Sequence, residues 1–155
     1  MKSSDIDDFD VSILKCMQKN VRLTSEDISA TVRLSATACQ RRIKRMRQSG
    51  AIQSEIAVIS PDAVGGRVTM MVQVALKRGG GDIIDSFRRD IATIEEVQQC
   101  YYVLGDYDFV LIVTAKDMTA YDRLTRRLFF NNTNIQKFHT TVALENVKVG
   151  LAIGL

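Results

Sequence analysis

The sequence predicts a two-part α+β chain, a three-helix front domain joined by a linker strand to a βαββαβ domain. Charge is the first sign. Of the 155 residues, 1–52 carry 10 Lys and Arg against 6 Asp and Glu, net +4, while 53–155 carry 11 against 12, net −1. Apolar spacing is the second: three- and four-residue repeats of helices run to about residue 50, and a two-residue strand repeat begins at Val68. The join is marked by Pro61, the only proline, and the turn-rich residues 62–66. The expected division is therefore 1–52, a linker over 53–66, and 67–155.

The front domain reads as three helices. Asp10 can cap the first, with Phe9 and Leu14 at the positions of a hydrophobic staple, and Ile13, Leu14 and Met17 form its apolar stripe to about Lys19. Thr24 with Asp27 three residues later opens a short second helix whose inner face is Ile28 and Val32. After a tight Arg33-Leu34 connection, Ser35 caps a third helix that Gly50 stops. A very short turn between the second and third helices is the helix-turn-helix arrangement.

The third helix is the most informative segment. Between Arg33 and Arg47 lie six basic side chains (Arg33, Arg41, Arg42, Lys44, Arg45, Arg47) and no acidic one, the signature of a surface that meets a polyanion. At 100° per residue, Cys39, Ile43 and Met46 share one side, while Thr37, Arg41, Lys44 and Gln48 share the opposite one. Double-stranded DNA is the expected partner. Thr37, Gln40 and Arg41, near the helix start, are candidates for base edges, because Gln matches adenine, Arg matches guanine, and a Thr methyl matches thymine. Lys44, Arg45 and Arg47 suit phosphates, and Ser35 caps the helix that carries them all. Arg42 lies nearer the apolar stripe, so an internal ion pair to Asp7 or Asp10 stands beside a DNA contact as its role.

In the second part, residues 52–60 alternate loosely and read as the linker strand. Val68, Met70, Val72, Val74 and Leu76 share one face of a strand that Gly79-Gly80-Gly81 ends in a turn. The glycines lack the lysine of a phosphate-binding loop. Asp82 opens a helix carrying Ile83, Phe87 and Ile91. Residues 97–104 and 109–115 form two strands around a hairpin connection at Gly105, Met118, Tyr121, Leu124 and Leu128 mark another helix, and residues 135–147 close the domain as a strand. This order is the ferredoxin-like plan, with helices on one sheet face and the other free for a partner subunit.

Composition excludes several classes. No apolar run approaches the roughly 20 residues needed to cross a bilayer, and the acidic start MKSSDIDDFD has no signal-peptide character, so a cytoplasmic protein is expected. Cys16, Cys39 and Cys100 form no metal-binding pair and read as small buried apolar residues; with His139 the only histidine, no metal site is expected. No nucleophile and base are paired, so neither an enzyme nor a cofactor is expected.

The chain resembles the Lrp/AsnC, or feast/famine, transcription factors over nearly its full length. The residues that carry the resemblance are Ile6-Asp7, Asp10, Ile13-Leu14, Arg22-Leu23-Thr24, Leu34-Ser35, Arg41-Arg42-Ile43, Met46, Gly50 and Ile52 in the front half. In the back half they are Gly105-Asp106-Tyr107-Asp108-Phe109, Tyr121, Leu144 and Val147-Lys148. The resemblance implies a homodimer built on the linker strand and the second domain, often assembled into octamers, and an amino-acid effector bound between subunits. Mapped onto this chain, the effector candidates are Gly105, Asp106, Tyr107 and Asp108, with Thr140 and Thr141 opposite. An aspartate can hold an α-ammonium, and threonine hydroxyls or backbone N–H groups an α-carboxylate; alternatively the aspartates satisfy local backbone donors.

Two positions depart from the family pattern. Arg33 replaces the usual glycine before Leu34-Ser35, which would strain the turn slightly or add a phosphate contact, and Asn131-Asn132-Thr133-Asn134 replaces a glycine-bearing loop. His139, just beyond that loop, reads as structural, with a ligand or pH-sensing role as the alternative. The function implied is sequence-specific, effector-responsive regulation of transcription by a nucleoid-associated protein. The competing reading is an architectural DNA-compacting protein without effector control.

Overall fold

The computed structural model describes residues 6–77 and 81–155. The chain forms two compact units, Met1–Val58 with Gly150–Leu155, and Ile59–Val149.

The front unit holds α1 (Asp8–Lys19), α2 (Ser25–Val32) and α3 (Ala36–Ser49). The cap of α1 is Asp7 rather than Asp10. Its carboxylate accepts the Asp10 N–H at 2.9 Å, and the Asp10 carboxylate accepts the Asp7 N–H at 3.2 Å, a reciprocal box built from two acids. The helix thus starts three residues earlier than Asp10 suggests, and Phe9 sits inside its first turn, 45% exposed instead of stapled to Leu14. Thr24 and Asp27 form the expected box on α2. Ser35 Oγ accepts the Ala38 N–H to start α3, and Gly50, at φ 79°, ends it. Ile13, Ile28, Val32, Cys39, Ile43 and Met46 form the core between the three helices. Tail and α1 also meet: the Gln18 amide donates to the Ile153 carbonyl at 3.1 Å and accepts its N–H at 2.8 Å.

The second unit carries β1 (Val68–Leu76), α4 (Gly81–Ala92), β2 (Val97–Tyr102), β3 (Phe109–Ala115), α5 (Met118–Thr125) and β4 (Ile135–Val142). A five-residue π-helical turn, Arg126–Phe130, prolongs α5. The sheet order is β2-β3-β1-β4, antiparallel throughout, with Val72 opposite both Leu111 and Thr140. Met70, Val72, Val74 and Leu76 bury one sheet face together with Phe109, Leu111 and Val113, under Phe87 and Ile91 of α4 and Tyr121 and Leu124 of α5. Each such fully buried side chain contributes about 1.5–3 kcal/mol. The expected βαββαβ order is present.

Further expectations change. Residues 52–60 form no strand, because a strand needs a neighbour for its N–H and C=O groups and no described strand of this chain pairs with them; Ile56, Val58 and Ile59 stand exposed. β4 stops at Val142 rather than 147, since its neighbour β1 begins at Val68 and offers only the Thr69 carbonyl, to the Ala143 N–H, past that point. Of the cysteines only Cys39 is buried; Cys16 is half-buried and Cys100 exposed, on the edge strand β2, which has a sheet neighbour on one side only. Gly79 and Gly80 of the expected turn lie outside the described residues, and Gly81 is the first residue of α4.

Candidate nucleic-acid interface and effector loop

On α3 the inward stripe of Cys39, Ile43 and Met46 fixes which side faces out. Thr37, Gln40, Arg41 and Lys44 are all exposed on that outer side. The basic run, which has no acid of its own, meets three carboxylates from elsewhere in the unit. Arg42 Nη1 donates to Asp7 at 2.7 Å and to Asp10 at 2.9 Å, the internal pairing that stood as one of its two readings, and its guanidinium also lies 5.6 Å from the Phe9 ring centre. Arg45 pairs with the other oxygen of Asp10, and Arg47 with Glu55 at 2.8 Å. Asp10 is fully buried, so its charge is held by two guanidinium groups and the Asp7 N–H. The Asp10 N–H and the Arg42 guanidinium together keep the Asp7 carboxyl below its ordinary range.

These pairs divide the six cations. Arg42, Arg45 and Arg47 each have a carboxylate partner; Arg33, Arg41 and Lys44 pair with none among the described residues. Arg45 and Arg47, expected at phosphates, thus carry partly neutralised charge, though each side chain is about half exposed. Sequence reasoning named Asp7 and Asp10 as partners for Arg42 but missed that Asp10 also holds Arg45, and it missed Glu55 altogether. The i, i+3 spacing of Asp7 and Asp10 signalled the first; nothing local signals the second, which meets Arg47 only because the chain turns back after Gly50.

In the second unit, residues 103–108 connect β2 to β3, β2 ending at Tyr102 rather than 104. Gly105 has φ 148°, which a side chain disfavours, although a Cβ there would meet nothing within 4 Å. Asp108 is tied into the structure: one carboxylate oxygen accepts the Leu76 N–H at 2.7 Å, its N–H donates to Val74, and its carbonyl accepts from Val103. Of the two loop aspartates, Asp106 is the one left exposed, with no hydrogen bond among the described residues. Tyr107 is half-buried, with Lys137 Nζ 4.9 Å from its ring centre.

Thr140 and Thr141 do not face one site within the chain. As neighbours on β4 they point to opposite sheet faces. Thr140 is half-buried on the helical side and shares a short hydrogen bond with the Tyr121 hydroxyl, whereas Thr141 is exposed on the open face along with His139 and Lys137. The pairing register separates them from the loop as well: Asp108 reaches Val74 and Leu76, while Thr140 and Thr141 lie opposite Val72 and Met71. Tyr121, read from sequence as an apolar helix position, is a hydroxyl partner of Thr140, and burial pushes its phenol pKa up.

Among the described residues no cluster of three or more His, Cys, Asp and Glu could hold a metal, and no helix is long and apolar enough to cross a membrane.

Three capped helices with a short turn before a basic helix, followed by a four-stranded antiparallel sheet with helices on one face, define a helix-turn-helix unit followed by a ferredoxin-like one. Residues 6–47 match the AsnC-type helix-turn-helix domain and residues 69–153 the Lrp/AsnC ligand binding domain. The chain belongs to the Lrp/AsnC family of transcriptional regulators. It is 49% identical over 149 residues to an uncharacterized HTH-type transcriptional regulator of Sinorhizobium fredii, covering 96% of this chain and 88% of that one. To the leucine-responsive regulatory protein of Escherichia coli K12 it is 32% identical over 144 residues, 93% of this chain and 88% of the relative. An AsnC family regulator from Agrobacterium tumefaciens superposes with a TM-score of 0.87 at 28% identity, and a Neisseria meningitidis regulator solved with L-Met with 0.86 at 25%, each covering 96% of both chains.

Proposed function

We propose that this protein is a sequence-specific DNA-binding regulator whose affinity or assembly responds to an amino acid. The outer face of α3 carries the reading: Thr37, Gln40, Arg41 and Lys44 lie exposed on a helix fixed by its own cap and core, and its two cations have no carboxylate partner among the described residues. Thr37, Gln40 and Arg41 would meet base edges and Lys44 phosphates. Arg45 and Arg47 would join Lys44 by exchanging an intramolecular carboxylate for a phosphate, and Ser35 would act through the cap.

Effector binding rests on the ligand-domain match and on the L-Met complex of the Neisseria relative. Asp106 is the better candidate for an α-ammonium, since the Asp108 carboxylate already accepts a backbone N–H. Gly105 and Tyr107 would shape the loop. Thr140 and Thr141 face opposite ways, so a site using both would draw them from different subunits. A homodimer, and assembly beyond it up to an octamer, fits the open sheet face and the unpaired stretch at residues 52–60. Effector control would then follow from linkage, the ligand favouring one assembly by its differential affinity. The division into a DNA-binding part at 1–52, a linker at 53–66 and an effector and assembly part at 67–155, working in the cytoplasm on the nucleoid, completes the proposal.

The test is a titration of DNA from immediately upstream of this protein's own gene, beside a scrambled duplex of equal length, with and without pooled amino acids. Preference for the upstream duplex that shifts with the pool is the expected result. Equal binding to both, indifferent to the pool, would replace this reading with an architectural DNA-compacting role.

A further inference from the structure

Among described residues other than glycine, Arg33 alone has a positive φ, 57° with ψ 39°, at the turn between α2 and α3. A Cβ in this left-handed region crowds the following carbonyl, and glycine would relieve that strain. The conformation itself is required: it ends α2, where the Arg33 N–H donates to the Ser29 carbonyl at 3.1 Å, and lets Ser35 cap α3 two residues later. A long cationic side chain therefore occupies a backbone site that its own Cβ disfavours, exposed and with no carboxylate partner among the described residues. Neither packing nor pairing accounts for it. Observed strain of this kind points toward function.

We infer that Arg33 is a DNA-phosphate anchor at the entry to α3, adding a third unpaired cation to Arg41 and Lys44. This rests on the DNA-binding reading above and extends it to a residue outside the helix. The side chain reaches a phosphate oxygen with one or two N–H donors and no base edge, so it adds affinity without sequence preference.

R33G, R33K and, as a reference, K44A are compared with the full-length wild-type chain on the upstream and scrambled duplexes across a salt series. In R33G, affinity is expected to fall about 3- to 10-fold on both duplexes, with the slope of log K against log salt shallower by about one. Its thermal midpoint, read from the helical circular dichroism signal, should match or exceed that of the wild type because the strain is gone. R33K, which keeps the charge, should retain most of the affinity and the slope. R33G binding both duplexes as tightly as wild type while K44A loses affinity would overturn the inference and leave the DNA reading standing. Loss in R33G that R33K does not restore would overturn it too, since charge would then not be the cause. Wild-type protein that binds neither duplex would remove the underlying reading and this inference with it.

Discussion

Replacing Asp10 by alanine tests whether the junction of α1 and α3 is held by charge. Asp10 is fully buried, and its oxygens accept from Arg42, Arg45 and the Asp7 N–H. Removing one member of a fully buried ion pair costs about 3–5 kcal/mol, because the remaining charge is stranded. Here the stranding is incomplete. The Arg42 side chain is 20% exposed and keeps Asp7 at 2.7 Å, and the Arg45 side chain is 51% exposed, so water recovers part of the loss and the Arg45 pair contributes no more than about 1 kcal/mol. The expected cost is therefore about 2–3 kcal/mol. For a small domain with a urea slope of about 1 kcal/mol/M, that moves the midpoint of the helical signal down by roughly 2–3 M. Urea suits the assay because, unlike guanidinium, it does not screen charge. A double-mutant cycle with R42M should show that most of the loss disappears once Arg42 is already gone. A midpoint shift under about 0.5 M, or full additivity with R42M, would show that the buried carboxylate is not held by this network.

Other outcomes follow from the same geometry. R41A should lower affinity for the upstream duplex more than for the scrambled one, whereas K44A should weaken both alike and flatten the salt slope by about one; equal losses in the two variants would refute that division. Asp7 and Asp27 sit below their ordinary 3.8, each held first by a backbone N–H, from Asp10 and Thr24 respectively. A lowered folded-state pKa stabilises the fold at higher pH, so the contribution is complete above about pH 4–5 and is lost as pH falls through the lowered values. Thermal midpoints measured by circular dichroism should drop between pH 5 and about 2.5, less steeply in a D7N/D27N variant; identical slopes would count against the caps. Tyr121→Phe leaves the half-buried Thr140 hydroxyl without its partner and should cost about 1 kcal/mol in the second unit, with T140V/Y121F recovering part of it. No loss in Y121F would mean that water replaces the phenol.

Local signals carried much of this protein. Thr24 with Asp27, Ser35 and Gly50 mark helix ends through hydrogen bonds spanning only three or four residues, so the sequence states them directly. The same holds for the inward stripe Cys39, Ile43, Met46 and for the β1 face from Val68 to Leu76, where the periods of helix and strand decide what is buried. The family resemblance, carried by motifs scattered over both halves, agreed with the domain matches along the chain.

What the sequence alone settled about this protein is the order of its elements, its basic third helix and its family. Those follow from short-range spacing and composition. Only the tertiary structure decided which charges remain free: Arg45 and Arg47 meet Asp10 and Glu55, residues 35 and 8 positions away, and no local pattern fixes that pairing. It decided too that Asp108 is occupied by the Leu76 N–H, 32 residues distant, and that Thr140 and Thr141 face apart. Residues 52–60 and 143–147 read as strands because alternation reports a side chain's neighbours, yet a strand exists only where another backbone completes its hydrogen bonds. Arg33 shows both limits at once, since its identity is plain in the sequence and the left-handed backbone that makes it unusual exists only in the folded turn.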